Sequence, residues 1–373
     1  MSPRDRPPFR ADHVGSLLRP PELLEARAEA AAARLGPDEL RRAEDAAIRE
    51  AVALQEAVGL ASVTDGEFRR TWFHIDFLER IEGIETSAGA ISARFRREDG
   101  DLDFAPPRIA VVGKLAWPGP IFGEDFSFLA AATKRTPKIA LPSPSMAHFR
   151  GGRQAVDREA YPDIEAFFAD LASVYAAEIA DLAARGCRYV QLDDTNLAYL
   201  CDPKLREATR AIGEDPEALP HRYAALINAA IADRPPDMTV AVHLCRGNFR
   251  SAWVAEGGYE PVAEALFGEI AADAFFLEYD TPRAGDFAPL RFLPKNKIAV
   301  LGLVSTKRPR LESKDELKRR IEAASAHASI EQLCLSPQCG FSSTVHGNEI
   351  SRDDQRRKLE LVVETAAEVW GRG

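Results

Sequence analysis

Residues 238–248 read MTVAVHLCRGN. An apolar, β-branched run of strand length ends in a histidine, a cysteine and a Gly-containing turn, and helical sequence follows. A run this short, bounded by a turn signal, reads as a fully buried strand. The same arrangement recurs along the chain, as in YVQLDDTN at 189–196 and AFFLEYD at 274–280. The pattern predicts strands near 11–16, 61–66, 138–142, 188–194, 238–245, 273–279, 297–304 and 330–336. It predicts helices at 21–34, 37–58, 68–80, 163–185, 203–232, 257–271, 313–327 and 352–369. Repeated strand–helix alternation gives a parallel sheet with helices outside it. Eight such units fit a (β/α)8 TIM barrel, and no Gly-rich dinucleotide fingerprint follows an early strand.

One segment breaks the rhythm. Residues 81–97, IEGIETSAGAISARFRR, and 106–120, PPRIAVVGKLAWPGP, are two β-prone stretches around a charged turn. They read as an inserted β-hairpin at about 82–120 within one barrel domain spanning 1–373. The last helix carries its own start signal, Ser351 with Asp354 three residues on, ahead of LELVVETAAEVW.

Composition narrows the functions. The chain has 373 residues, 46% of them hydrophobic, ample for a large core. Its formal charge is -10 with both signs interspersed, which argues against nucleic-acid or anionic-membrane partners. Without a signal peptide or an apolar run of about 18 residues, the expectation is a soluble cytoplasmic protein. Five cysteines at irregular spacing do not suggest a disulfide framework.

In such barrels the chemistry sits at the C-terminal ends of the strands. Here those ends read DHVGS, TDGE, PSPS, LDDTN, HLCRGN, LEYD, VSTK and SPQCG. His243 and Cys245 lie two apart, so in a strand they point to one side. Imidazole nitrogen and thiolate sulfur converging on one point suit zinc. Glu278, or alternatively Asp280, ends the next strand, and Cys339 follows the last one. A His243–Cys245–Glu278–Cys339 set would complete a zinc shell.

Over most of its length the sequence resembles the C-terminal catalytic half of cobalamin-independent methionine synthase. HVGS, TDGEFRR, YVQLDDTNL, HLC, LE and PQCG resemble that family's motifs, in the family's order. The resemblance implies Zn2+ on His243, Cys245, Glu278 and Cys339. It implies substrate contacts from Val14, Ser16, Glu67 and Asp193, with carboxylates holding the ammonium of homocysteine. The implied reaction is methyl transfer to the homocysteine thiol, forming methionine. The donor is left open: methyltetrahydrofolate, another methyl compound, or a methyl-carrier protein. Asp194 is the alternative to Asp193.

Two donor-side features depart from the family. Lys307, in VSTKRP, stands about where the family has a histidine, and it joins Asp193 as an implied catalytic group. PSPSMAHFR offers no evident match to the family's donor-side tryptophan; His148, Phe149 and His346 could line an altered pocket. The resemblance also leaves the family's N-terminal half without a counterpart in these residues. Two other readings stand beside it: a zinc enzyme alkylating another thiol, such as coenzyme M, and a non-catalytic barrel with a structural zinc.

Overall fold

Around the apolar run at 238–245 the chain builds a sheet in strict sequence order. The computed structural model describes residues 4–89, 93–97 and 100–371. Its strands begin with β1 (Ser62–Val63) and the insertion, β2 (Glu82–Ser87), β3 (Ala93–Phe95), β4 (Leu102–Phe104) and β5 (Arg108–Ala116). They continue with β6 (Thr136–Pro137), β7 (Ile139–Pro142), β8 (Tyr189–Asp194), β9 (Thr239–Leu244), β10 (Ala274–Glu278), β11 (Ile298–Val304) and β12 (Leu333–Pro337). Strands β7 to β12 form one sheet, every pair parallel. β1 pairs with β6 in parallel, and the Lys138 amide continues that ladder to the Val63 carbonyl at 2.8 Å. At the other edge Ala11 makes a parallel bridge with Leu335 of β12. The result is the expected α/β barrel, with its first strand reduced to one bridge and its second to two residues.

Side chains replace the ladder where those two strands fall short. The Asp12 carboxylate accepts from the Ser62 and Tyr189 hydroxyls, each at 2.9 Å. Lys138, fully buried, donates to Asp12 Oδ1 at 3.2 Å, to Gln191 Oε1 at 3.1 Å and to the His13 carbonyl. One buried ion pair and its hydrogen bonds therefore tie four neighbouring segments together.

Period-two alternation decides what faces inward. Tyr189, Ala241, Ala274, Phe276, Val300 and Cys334 cluster with Val14 inside the barrel. Val190, Val242, Leu244, Phe275, Leu277 and Leu301 belong to the larger core beneath the helices. The same alternation turns Gln191, Asp193, His243 and Glu278 inward at the carboxyl ends.

The outer helices include α1 (Pro21–Ala31), α2 (Pro37–Ala57), α3 (Ile75–Leu78), α4 (Gly123–Ala132), α5 (Ile164–Ala184) and α6 (Asn196–Tyr199). They continue with α7 (Pro203–Ala211), α8 (Leu219–Ile231), α9 (Lys314–Ser325) and α10 (Arg352–Trp370). The Ser351–Asp354 start signal of α10 is a capping box, with both reciprocal bonds at 3.0 Å. No helix among the described residues is long and apolar enough to cross a membrane.

Three helix expectations need correction, and one helix is additional. The expected helix at 68–80 is one turn, α3, because Asp76 binds the Thr71 and Trp72 amides and holds the preceding chain in a loop. The stretch 203–232 splits into α7 and α8 at Gly213, whose φ of 88° breaks the helix. Residues 257–271 give only short 3-10 and π turns, consistent with three glycines and a proline in that segment. α4 was not expected.

The insertion is an antiparallel hairpin built of two ladders, β2 with β5 and β3 with β4. Its far end crosses to the loop after β9. Arg96 and Trp253 exchange backbone bonds of 2.7 and 3.0 Å, and Arg97 pairs with Glu349 at 2.7 Å.

Removing one partner of a buried ion pair leaves an uncompensated charge. Lys138→Met is expected to lower unfolding free energy by about 3–5 kcal/mol, read from urea denaturation. Wild-type stability would show that Asp12 does not depend on Lys138.

Candidate active site

The carboxyl ends of the strands enclose a cavity lined by Val14, Ser16, Glu67, Asp193, His243, Cys245 and Cys339, with Trp72, Phe95 and Phe249 among its apolar walls. Barrel register explains the grouping. Asp193 and His243 are direct partners across β8 and β9. His243 and Cys245 share the inward face two residues apart.

The metal-ligand atoms of His243, Cys245 and Cys339 lie within 4.8 Å of one another, and all three residues are buried. His243 Nδ1 bonds Asp193 Oδ1 at 3.0 Å. That bond fixes the ring and leaves Nε2 with no hydrogen-bond partner among the described residues. Such a carboxylate–histidine arrangement is how proteins orient a metal-binding imidazole. Burial disfavours charge on His243, but Asp193 and Cys339 outweigh it and raise its pKa to about 10. The two cysteines are also unequal: Cys339 is held well below the ordinary thiol value by Cys245 and His243, while Cys245 is pushed well above it. A thiol shared with a thiolate beside an orphaned imidazole nitrogen is a donor set that fits zinc.

Glu278 is not part of that triad. Its Oε1 accepts from Arg283 at 3.0 and 2.7 Å, and its Oε2 accepts from the Arg246 amide at 2.9 Å. Burial would raise its pKa, but Arg283, Lys307 and Arg246 hold it at about 2. Asp280 also pairs with Arg283, at 2.8 Å. Lys307 does not line the cavity; its Nζ holds the Gly247 carbonyl and Asn248 Oδ1, both at 3.0 Å. Lys307 thus fastens the loop that carries Cys245.

The substrate-side residues come from tight loops. Gly66 and Glu67 have φ of 67° and 60°. A Cβ on Gly66 would meet the Phe68 ring at 2.7 Å, so this turn needs glycine there. Glu67 bears the strain of a left-handed non-glycine residue, a feature concentrated at functional sites. Its side chain enters the cavity, with Oε2 lacking a hydrogen bond and Arg70 3.8 Å away. Burial is the main cause that raises its pKa to about 7; Arg70 opposes, and Asp193 and Asp65 add to the rise. Gln191 bonds Asp193 Oδ1 at 2.7 Å and the Val14 carbonyl at 2.8 Å, tying the two walls. Ser16 Oγ sits only 1.9 Å from where a Cβ of Gly340 would be, so the glycine after Cys339 makes room for the serine. Asp194 also lines the cavity, but its carboxylate is engaged by Ser145 at 2.6 Å and the Leu197 amide.

His148 and Phe149 do not line the cavity. His148 bonds the Tyr223 hydroxyl at 2.9 Å, and burial lowers its pKa to about 4. His346 packs against Trp72 and Phe249 at the roof. Three residues escaped the sequence reading. Arg19 is buried and donates to the Glu67, Arg70, Ser342 and Thr344 carbonyls, clamping two site loops. His74 and Arg150 line the cavity from segments that carried no strand-end signal.

A parallel barrel whose carboxyl rim gathers an imidazole, two thiols and two carboxylates defines a class: α/β barrels with a buried site whose side chains can hold a metal ion. The chain belongs to the family described as cobalamin-independent synthase, catalytic domain, which matches residues 9–368. The uncharacterized protein YxjH of Bacillus subtilis (strain 168) is 45% identical over 97% of this chain and 95% of its own length. A Listeria monocytogenes structure, named as a candidate vitamin-B12-independent methionine synthase, superposes with a TM-score of 0.77 at 36% identity, covering 99% of this chain and 100% of that one. The 5-methyltetrahydropteroyltriglutamate–homocysteine methyltransferase of a Synechococcus strain is 25% identical over 90% of this chain, which spans 41% of that protein. The family places the chain among methyltransferases.

Zinc content tests the triad. Purified wild-type chain is expected to hold about one zinc ion. Cys245→Ser and Cys339→Ser should each hold less than about a tenth of that, while Glu278→Gln keeps most of it. Full zinc in both cysteine variants, measured by plasma emission, would remove the triad. Loss in Glu278→Gln equal to theirs would put Glu278 in the shell.

Proposed function

We propose that the protein transfers a methyl group from a methylated folate to the thiol of homocysteine, forming methionine, with zinc held by His243, Cys245 and Cys339. The observation that carries this reading is the pairing of the metal-ligand triad with Glu67 and Asp193 in one cavity. The names of the Synechococcus and Listeria proteins support it.

A zinc ion at the triad would deprotonate a bound thiol at neutral pH, where a free thiol, with a pKa of about 8.5, is mostly protonated. The chain's own residues do the rest. Glu67 and Asp193 receive the ammonium group, and the Ser16 hydroxyl faces the carboxylate. Asp193 serves twice, since its other contact orients His243. The aromatic roof sheds water from the reacting sulfur. In the transfer, a sulfur lone pair forms the new bond to the methyl carbon. The carbon–nitrogen bond of the donor breaks, its electrons stay on the donor nitrogen, and that nitrogen takes up one proton, balancing the one the homocysteine thiol gave up. Alkylation of another thiol, such as coenzyme M, gives Glu67 and Asp193 no ammonium to bind.

The pKa of Glu67 makes the reading testable. Below about pH 7 the empty site holds a protonated Glu67, and the ammonium loses a partner. KM for homocysteine should therefore rise as pH falls through 7, by up to about tenfold per unit. Glu67→Gln should raise KM roughly tenfold or more and flatten that limb. A wild-type KM that is flat from pH 8 to 5.5, or an unaltered variant, would contradict the assignment.

A further inference from the structure

Among the cavity-lining residues, the buried side-chain atoms without a hydrogen-bond partner are Glu67 Oε2, His243 Nε2 and both ring nitrogens of His74. The first two are accounted for by an ammonium group and a metal. His74 is not. It is 2% exposed, with Trp72 edge-on at 6.4 Å and the Phe73 ring at 4.5 Å, and no polar group among the described residues satisfies it. Buried polar groups are almost always paired, and an imidazole offers one donor and one acceptor when neutral.

Arg150 lines the same cavity, close enough for its charge to act on His74 and Tyr199. No hydrogen bond or ion pair engages it among the described residues. Protein crowds it enough to lower its pKa, yet it keeps open surface that a ligand can reach. The buried Arg19 and Arg246 and the partly buried Arg283, by contrast, are bound to carbonyls or carboxylates. The roof of Trp72 stacked on Phe249 lies over the same side, 5.9 Å between rings and 11° from parallel. The cavity and its open mouth enclose about 680 Å3. That exceeds what an amino acid the size of homocysteine occupies and leaves the His74 and Arg150 side for a second substrate.

We propose that His74 and Arg150 form the recognition subsite for the methyl donor, and that this donor carries a carboxylate. The guanidinium pairs with the carboxylate, the His74 ring hydrogen-bonds a polar edge of the donor, and the roof covers its flat apolar body. One guanidinium beside a neutral imidazole balances one negative charge, which suits a carboxylate better than a phosphate dianion. The assignment rests on the functional reading above, in which Glu67, Asp193 and Ser16 already hold both ends of the amino acid.

Calorimetric titration of the zinc-loaded chain with 5-methyltetrahydrofolate, and separately with homocysteine, tests it. Arg150→Gln should weaken 5-methyltetrahydrofolate binding about tenfold or more and leave homocysteine within about twofold. Arg150→Lys should restore part of the loss, and His74→Phe should weaken the same ligand alone. Wild-type chain that does not bind 5-methyltetrahydrofolate overturns the proposal. So does unchanged binding by the variants, or a shift in homocysteine affinity instead, which would assign Arg150 to the amino-acid carboxylate. Intact and variant-sensitive 5-methyltetrahydrofolate binding without methionine formation would defeat the functional reading and uphold the subsite.

Discussion

The 3.0 Å bond between Asp193 and His243 is the contact on which the site depends. It exists because β8 and β9 are parallel and in register, so that two inward residues become direct neighbours. It fixes which imidazole nitrogen is left free, and thereby where a metal can be held. It also places a carboxylate beside Glu67, which creates a place for an ammonium group. A change of register by one residue would turn both side chains outward into the helical layer.

The rest of the barrel interior is built so that such charges can be buried. Asp12 and Lys138 seal the gap left by the shortened first strands. Glu278 is neutralised by Arg283 and the Arg246 amide. Arg19 and Lys307 hold loops by their carbonyls. Each of these charges has its partner, whereas Glu67 Oε2, His243 Nε2 and both His74 ring nitrogens face the cavity without one. That contrast separates scaffold from site more sharply than burial alone, since nearly every one of these residues is buried.

Much of this was legible in the sequence. Strand–helix alternation gave the barrel, and the H-x-C spacing at a strand end put His243 and Cys245 on one face. The break in rhythm at 82–120 marked the hairpin, though not that it would roof the cavity through Phe95. What the sequence hid was partnership at a distance. Glu278 sits at the expected strand end, but Arg283 engages it from a loop whose conformation no local pattern sets. His74 was hidden because residues 68–80 carry helical periodicity, whereas Asp76 and the strained Gly66–Glu67 turn fold them into a cavity wall. Lys307 stands about where the family has a histidine, and its amine holds the Gly247 carbonyl and the Asn248 side chain, contacts that no local pattern sets.

The central claim is that the three-residue site receives the thiol of an amino acid. Zinc-edge X-ray absorption of the loaded chain, before and after addition of homocysteine, addresses it directly. The account predicts two sulfur neighbours, from Cys245 and Cys339, rising to three. A sulfur count that stays the same with saturating homocysteine would contradict it and leave the zinc a structural ion.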